Sequence, residues 1–109
     1  MTIELKTPIP GPGSRQIIER ARAAMPPAFE VLHQVVIDHG RGATVTDVDG
    51  NTFIDLSGGI GVLNVGHARS EVLAAIHEQA NRFLHTDFSV IPYEPLVSLA
   101  ERLNSVAPV

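Results

Sequence analysis

Between residues 44 and 67 the chain reads Thr-Val-Thr-Asp-Val-Asp-Gly-Asn-Thr-Phe-Ile-Asp-Leu-Ser-Gly-Gly-Ile-Gly-Val-Leu-Asn-Val-Gly-His, and no other stretch restricts its fold so tightly. Thr44 to Val48 and Thr52 to Leu56 are short runs rich in β-branched and aromatic residues. Asp49-Gly50 between them supplies the positive φ angles that a tight hairpin turn requires. A β-hairpin is the expected structure. Its second strand runs into Ser57-Gly58-Gly59-Ile60-Gly61, where glycines remove the Cβ atoms that hold backbone away from a neighbour or a ligand. Residue chemistry leaves two readings of that run open, a structural bend and one wall of a binding site.

The flanking segments are placed relative to this hairpin. Pro8, Pro10 and Pro12 with Gly11 and Gly13 predict an extended, non-helical arm. Ser14 then suits the N-cap of a helix over Arg15 to Met25, where Ile17, Ile18, Ala21, Ala24 and Met25 recur at helical spacing and Pro26-Pro27 forces a stop. Phe29 to Asp38 is rich in valine and isoleucine, ends at His39-Gly40-Arg41-Gly42, and reads as extended chain feeding the hairpin. A small antiparallel meander follows from these runs. Ser70 suits the cap of a helix over Glu71 to Leu84, with Val72, Leu73, Ile76, Ala80, Phe83 and Leu84 on one face. His85 to Ile91 breaks the pattern, and Pro95 fits the first turn of a last helix carrying Leu96, Leu99, Ala100 and Leu103.

Composition removes whole classes of function. With 109 residues, 44% hydrophobic and 18% charged, the chain has the size and make-up of one modest soluble domain. Its apolar stretches are shorter than a bilayer span, and Met1 to Gly11 lacks the basic start and apolar core of a secretory signal, so a cytoplasmic protein with no membrane partner is expected. The net charge of −4 is scattered, and eight basic residues form no stripe, which argues against a nucleic-acid partner. With no cysteine there is no disulfide, thiolate metal site or cysteine nucleophile. Asp47, Asp49, Asn51 and Asp55 alternate as calcium ligands do, but a calcium loop counted from Asp47 needs glycine where Thr52 stands and glutamate where Gly58 stands. They read as turn acids on a solvated hairpin edge. The histidines lack a grouping of four ligands, His77 and His85 being eight residues apart and His33 and His39 without a third partner, so no metal site is expected. The glycine run is followed by a helix only near Ser70, too late for a phosphate loop, and no serine sits in a nucleophile elbow. Lys6 is the only lysine.

Several short motifs, in order, carry a resemblance. They are Pro10-Gly11-Pro12-x-Ser14-Arg15, then Asp47-x-Asp49-Gly50-Asn51-x-Phe53-Ile54-Asp55, then Gly58-Gly59-Ile60-Gly61-Val62-Leu63-Asn64-x-Gly66-His67, then His85-Thr86 and Pro92-Tyr93-Glu94-Pro95. Together they resemble the N-terminal part of class III aminotransferases that depend on pyridoxal phosphate, most closely the 4-aminobutyrate aminotransferase branch. Ala68-Arg69-Ser70 departs from the pattern, since family members usually carry a proline shortly after the histidine.

The resemblance implies an N-terminal piece of the α/β type I pyridoxal-phosphate fold. Residues 1–13 would form an extended arm, 14–85 the N-terminal segment of the small domain, and 86–109 the start of the large cofactor domain. It also implies a homodimer that moves an amino group from an ω-amino acid such as 4-aminobutyrate to 2-oxoglutarate. Ile60 matches a position beside the substrate. Ser89 matches one near the cofactor or substrate where some relatives carry glutamine, although a hydroxyl is shorter than an amide. From the residues alone, His85 to Ile91 is equally a plain connector. Schiff-base chemistry needs a desolvated or oriented lysine, and Lys6 lies in a proline-flanked arm with neither, so no catalytic residue is assigned. The alternative is a small binding or dimerisation module without catalysis.

Overall fold

Three antiparallel strands in the order β1-β2-β3 form the sheet of this α/β chain: β1 (Ile37–Arg41), β2 (Thr44–Asp47) and β3 (Thr52–Ile54). The computed structural model describes residues 2–28 and 31–107. Helix α1 (Pro12–Ala24) precedes the sheet; a single turn α2 (Gly58–Gly61) and helices α3 (Ser70–Arg82) and α4 (Glu94–Val106) follow it. The chain divides into two compact units, Met1–Val72 and Leu73–Val109.

In the first unit β2 pairs with β3 through Thr44↔Ile54, Val45↔Phe53 and Thr46↔Thr52, which is the expected hairpin. Its turn differs in detail. The Asp47 amide donates to the Asn51 carbonyl at 2.9 Å and the Gly50 amide to the Asp47 carbonyl at 3.0 Å, so three residues, Val48 to Gly50, make the connection. Positive φ falls on Gly50 alone, at +80°, and not on Asp49.

Asp49 has another task. Helix α1 starts at Pro12, three residues before the expected Arg15, with Gly11 as its N-cap residue. Proline suits a first helical position because the N–H it lacks would have had no partner there. The amides of Gly13 and Ser14 instead donate to the two oxygens of the Asp49 carboxylate, at 2.7 and 2.9 Å. The helix is thus capped from the hairpin turn. Ser14 is not its cap: it is fully buried, and its hydroxyl accepts the Val36 amide at 3.2 Å. The proline-rich arm therefore ends in helix, contrary to its composition. The helix stops at Ala24 before Pro26-Pro27, as expected.

The strand expected over Phe29 to Asp38 begins late. Phe29 and Glu30 lie outside the described residues, residues 31–36 form no strand, and β1 runs through His39-Gly40-Arg41, which had read as its end. Gly40 sits inside this strand because a Cβ there would lie 2.7 Å from Cγ of His67.

Nor is the hairpin edge solvated as its acids suggested. Asn51 is fully buried and Asp47 is 2% exposed. Asn51 Nδ2 donates to Asp47 Oδ2 at 2.8 Å and to Thr7 Oγ1 at 2.9 Å, while its Oδ1 accepts the amides of Lys6 and Thr7 at 2.7 and 2.9 Å. Every hydrogen-bonding position of that amide is used, which is what makes a fully buried Asn tolerable. The same amide ties the N-terminal arm to the sheet, and Glu4 and Thr52 add two backbone bonds to the tie. Among the described residues Ile18 and Val45 are the buried hydrophobic ones.

Helix α3 begins at Ser70 and ends at Arg82, two residues short of the expected Leu84. The Ser70 hydroxyl donates to the Glu71 carboxylate at 2.8 Å. In the second unit α4 starts at Glu94 behind Tyr93, with Pro95 in its first turn as expected. Tyr93 meets Phe83 at 5.8 Å and Phe88 at 5.3 Å between ring centroids, the latter edge-on. No described helix is long and apolar enough to cross a membrane.

Candidate functional site

The chain leaves β3 into an unusual backbone. Gly58, Gly59, Ile60 and Gly61 have φ of +50°, +64°, +63° and +83°. The bend expected from the glycines is one left-handed helical turn, closed by the Gly61 amide on the Ser57 carbonyl and the Leu63 amide on the Gly58 carbonyl, each at 2.9 Å. Glycine adopts these angles freely. Ile60 does not, and a left-handed conformation costs an L-residue about 1–2 kcal/mol. Its side chain is 96% exposed, so its own contacts offset little of that strain. A β-branched residue held in this region and presented to solvent is the kind of outlier from which a functional position is inferred.

Asp55 secures the turn. Its Oδ1 accepts the Ser57 amide at 2.9 Å, the Ser57 hydroxyl at 2.8 Å and the Gly58 amide at 3.0 Å. Its Oδ2 accepts Nε2 of His67 at 2.7 Å. The bond from His67, then the Gly58 amide and the Ser57 hydroxyl, hold the Asp55 carboxyl well below the usual carboxylate range, so it is an anion at neutral pH. An acceptor-only carboxylate fixes the His67 tautomer with hydrogen on Nε2.

His67 is anchored in turn. Its amide donates to the Gly42 carbonyl at 2.8 Å and its carbonyl accepts the Gly42 amide at 2.9 Å, which ties residues 62–67 to the β1–β2 turn. A cleft of about 160 Å³ opens here, lined by Asp55, His67, Leu63, Asn64, Gly42 and Gly58 among others. A larger one, about 500 Å³, lies at the end of α1 between Ile18, Met25, Pro26, Pro27 and Val31, with Arg22 the charged group among its described lining residues.

Ser89 stands in the second unit, exposed in the loop before α4. Its amide and hydroxyl both donate to Oδ1 of Asp87, at 3.0 and 2.6 Å, and these bonds lower the Asp87 pKa. Asp87 itself takes φ +57°. The Ser89 hydroxyl proton is therefore committed within the loop, and its oxygen keeps acceptor capacity.

Sequence reasoning singled out Ile60 but gave Asp55 and His67 no role in holding it. Asp55-x-Ser57-Gly58 is a readable signal, since an aspartate often accepts the amides two and three residues on. The partnership with His67, twelve residues away, has no local pattern. Among the described residues no three His, Asp or Glu side chains are grouped to hold a metal.

This α/β fold, with its small antiparallel sheet and four helices, is similar to that of solved transaminases. An omega-transaminase from Sphaerobacter thermophilus superposes on 92% of this chain with a TM-score of 0.79 at 26% identity, over 24% of its own length. The profile of the Aminotransferase class-III family matches residues 25–109, and the chain belongs to that family. The 4-aminobutyrate aminotransferase of Mycobacterium tuberculosis is 41% identical over 104 residues, which are 95% of this chain and 23% of that protein. The 5-aminovalerate aminotransferase DavT of Pseudomonas putida is 40% identical over 95 residues, 87% of this chain and 22% of that protein. The chain thus spans about a quarter of the length of the curated relatives it matches.

Pyridoxal phosphate, the cofactor this family implies, needs an amine for its aldehyde, donors for its phosphate and an acid at its pyridine nitrogen. The described residues do not fit it by themselves. Lys6 is exposed, its amide is bound to Asn51, and its side chain lies alongside Gly50, away from any cleft described above.

Proposed function

We propose that this chain forms the substrate-side wall of a larger class III aminotransferase that uses pyridoxal phosphate. The reaction moves an amino group from an ω-amino acid of the 4-aminobutyrate type to 2-oxoglutarate. The observation that carries this reading is Ile60, a strained and exposed apolar residue on a left-handed turn. It offers an apolar surface against the methylene chain of a donor and takes no part in proton transfer. Ser89 lies near the cofactor, with its oxygen as acceptor. Residues outside these 109 supply the Schiff-base lysine, the phosphate donors and the carboxylate-selecting groups, and a second subunit completes the site. The 109 residues alone are inactive.

Two experiments test this. In the complete enzyme, Ile60→Trp narrows the wall and lowers kcat/KM for 4-aminobutyrate by up to about 10²-fold, the cost of a misplaced substrate, with little change in Tm. Unchanged kcat/KM across several ω-amino donors removes Ile60 from the substrate site. Titration of the 109-residue chain with pyridoxal phosphate, borohydride reduction and peptide mapping gives no stoichiometric label. A specific label on Lys6 overturns the view that the anchoring amine lies elsewhere.

A further inference from the structure

Two backbone hydrogen bonds close the left-handed turn, and side-chain bonds add to them. Glycine on either side of Ile60 permits the conformation without enforcing it, since glycine takes negative φ about as readily. Among the described residues the only side chain that bonds to the start of the turn is Asp55, through the Ser57 amide, the Ser57 hydroxyl and the Gly58 amide. The second oxygen of Asp55 is bound to His67, and the His67 backbone is bonded twice to Gly42. Gly66 lies so close to the same residue that a Cβ on it would stand 2.8 Å from the Gly42 carbonyl oxygen. The segment from Ser57 to His67 is therefore closed at both ends through one carboxylate, on a base provided by the β1–β2 turn. Ile60 sits in the part of the loop that this closure leaves exposed.

We infer that Asp55 and His67 are a positioning pair that holds Ile60 in its left-handed conformation and thereby sets how far the apolar wall projects toward the substrate chain. The inference rests on Ile60 as substrate wall, the reading given above. Neither residue touches the reacting atoms. They act through the backbone of residues 57–61, and their effect falls on recognition of the donor's methylene chain.

The test uses the complete enzyme in three forms. His67→Phe keeps a ring against Gly40 and removes the Nε2 donor, Asp55→Ala removes the acceptor of all four bonds, and His67→Gln restores an N–H that can reach Asp55. In His67→Phe the KM for 4-aminobutyrate rises about tenfold with kcat little changed, the pattern of lost ground-state binding, and His67→Gln recovers most of the loss. Isoleucine methyl-labelled enzyme gives a readout independent of turnover. The Ile60 methyl resonance, assigned by its loss in Ile60→Val, moves in His67→Phe and Asp55→Ala and returns in His67→Gln, while the methyl of Ile18 in α1 stays in place. An Ile60 resonance and a KM both unchanged in His67→Phe and Asp55→Ala overturn the positioning pair and leave Ile60 as substrate wall intact. Movement of the resonance in a protein whose Ile60→Trp form keeps full kcat/KM overturns the substrate reading and leaves the pair as a device that holds the turn. A variant whose Ile18 methyl also shifts has lost more than the turn; if all three variants do so, the pair is structural and the proposal fails.

Discussion

Asp49 and Asp55 carry two of the decisive local interactions of the first unit, and both are used as anions. Burial works to raise the pKa of Asp49, but the amides of Ser14 and Gly13 outweigh it and the net direction is down, with Arg15 adding to the effect. Asp55 is lowered chiefly by His67. For both groups the folded value lies below the ordinary 3.8, so the unfolded chain binds more protons through this range. Their stabilisation is complete above the unfolded value and is lost as pH falls through the folded values. The first unit is therefore expected to keep its structure down to roughly pH 4 and to weaken progressively below it. Urea midpoints measured against pH check this, and Asp49→Asn combined with Asp55→Asn should flatten the acid limb. An acid limb of unchanged steepness in that double variant places the titration on other groups.

At the scale of elements, the closure of the loop by Gly66 is the most exposed to a single change. Gly66 has φ +81°, and an added Cβ would meet the backbone of Gly42, which cannot swing aside as a side chain can. Gly66→Ala should part residues 62–67 from the β1–β2 turn at a cost of about 2 kcal/mol or more, combining left-handed strain with the clash. Gly42→Ala, at φ +58° with open space around its Cβ, should cost only the strain, about 1 kcal/mol. Equal losses for the two variants in denaturant unfolding would dismiss the backbone contact as a determinant. The same contacts explain which elements were legible in the sequence. The hairpin, α3 and α4 were readable because their signals are local: alternation around Asp49-Gly50, helical spacing from Val72, and Pro95 in a first turn. The start of α1 was misread because its cap comes from Asp49, more than thirty residues further on, and Ser14 faces Val36 instead. Strand β1 was cut short because Gly40 looks like punctuation, whereas it is a place where the His67 ring approaches the backbone. At the site, the glycines announced a bend around Ile60. Its left-handed sense and its Asp55–His67 clasp depend on residues brought together only by folding.

For the whole molecule, the balance of apolar surface governs behaviour in solution. Among the described residues the buried hydrophobic core is Ile18 and Val45, while Leu56, Ile60 and Leu84 are 93%, 96% and 86% exposed. Among the described residues, helices α3 and α4 each place apolar residues at helical spacing yet bury none of them fully. A three-stranded sheet of short strands needs a packed face to persist in water, and here the firmest packing is polar, around Asn51 and Asp47. Soluble monomers rarely tolerate apolar patches beyond a few hundred Å². The 109-residue chain, expressed alone, is therefore expected to self-associate or to remain loosely packed over residues 73–107. Light scattering reads the first outcome, and amide hydrogen exchange the second: protection should concentrate in β2 and around Asn51, with rapid exchange through α3 and α4. A monodisperse monomer with strong protection through both β3 and α3 would identify an autonomous domain, and a stand-alone binding or dimerisation module would then account for the chain better than the substrate wall of a larger enzyme.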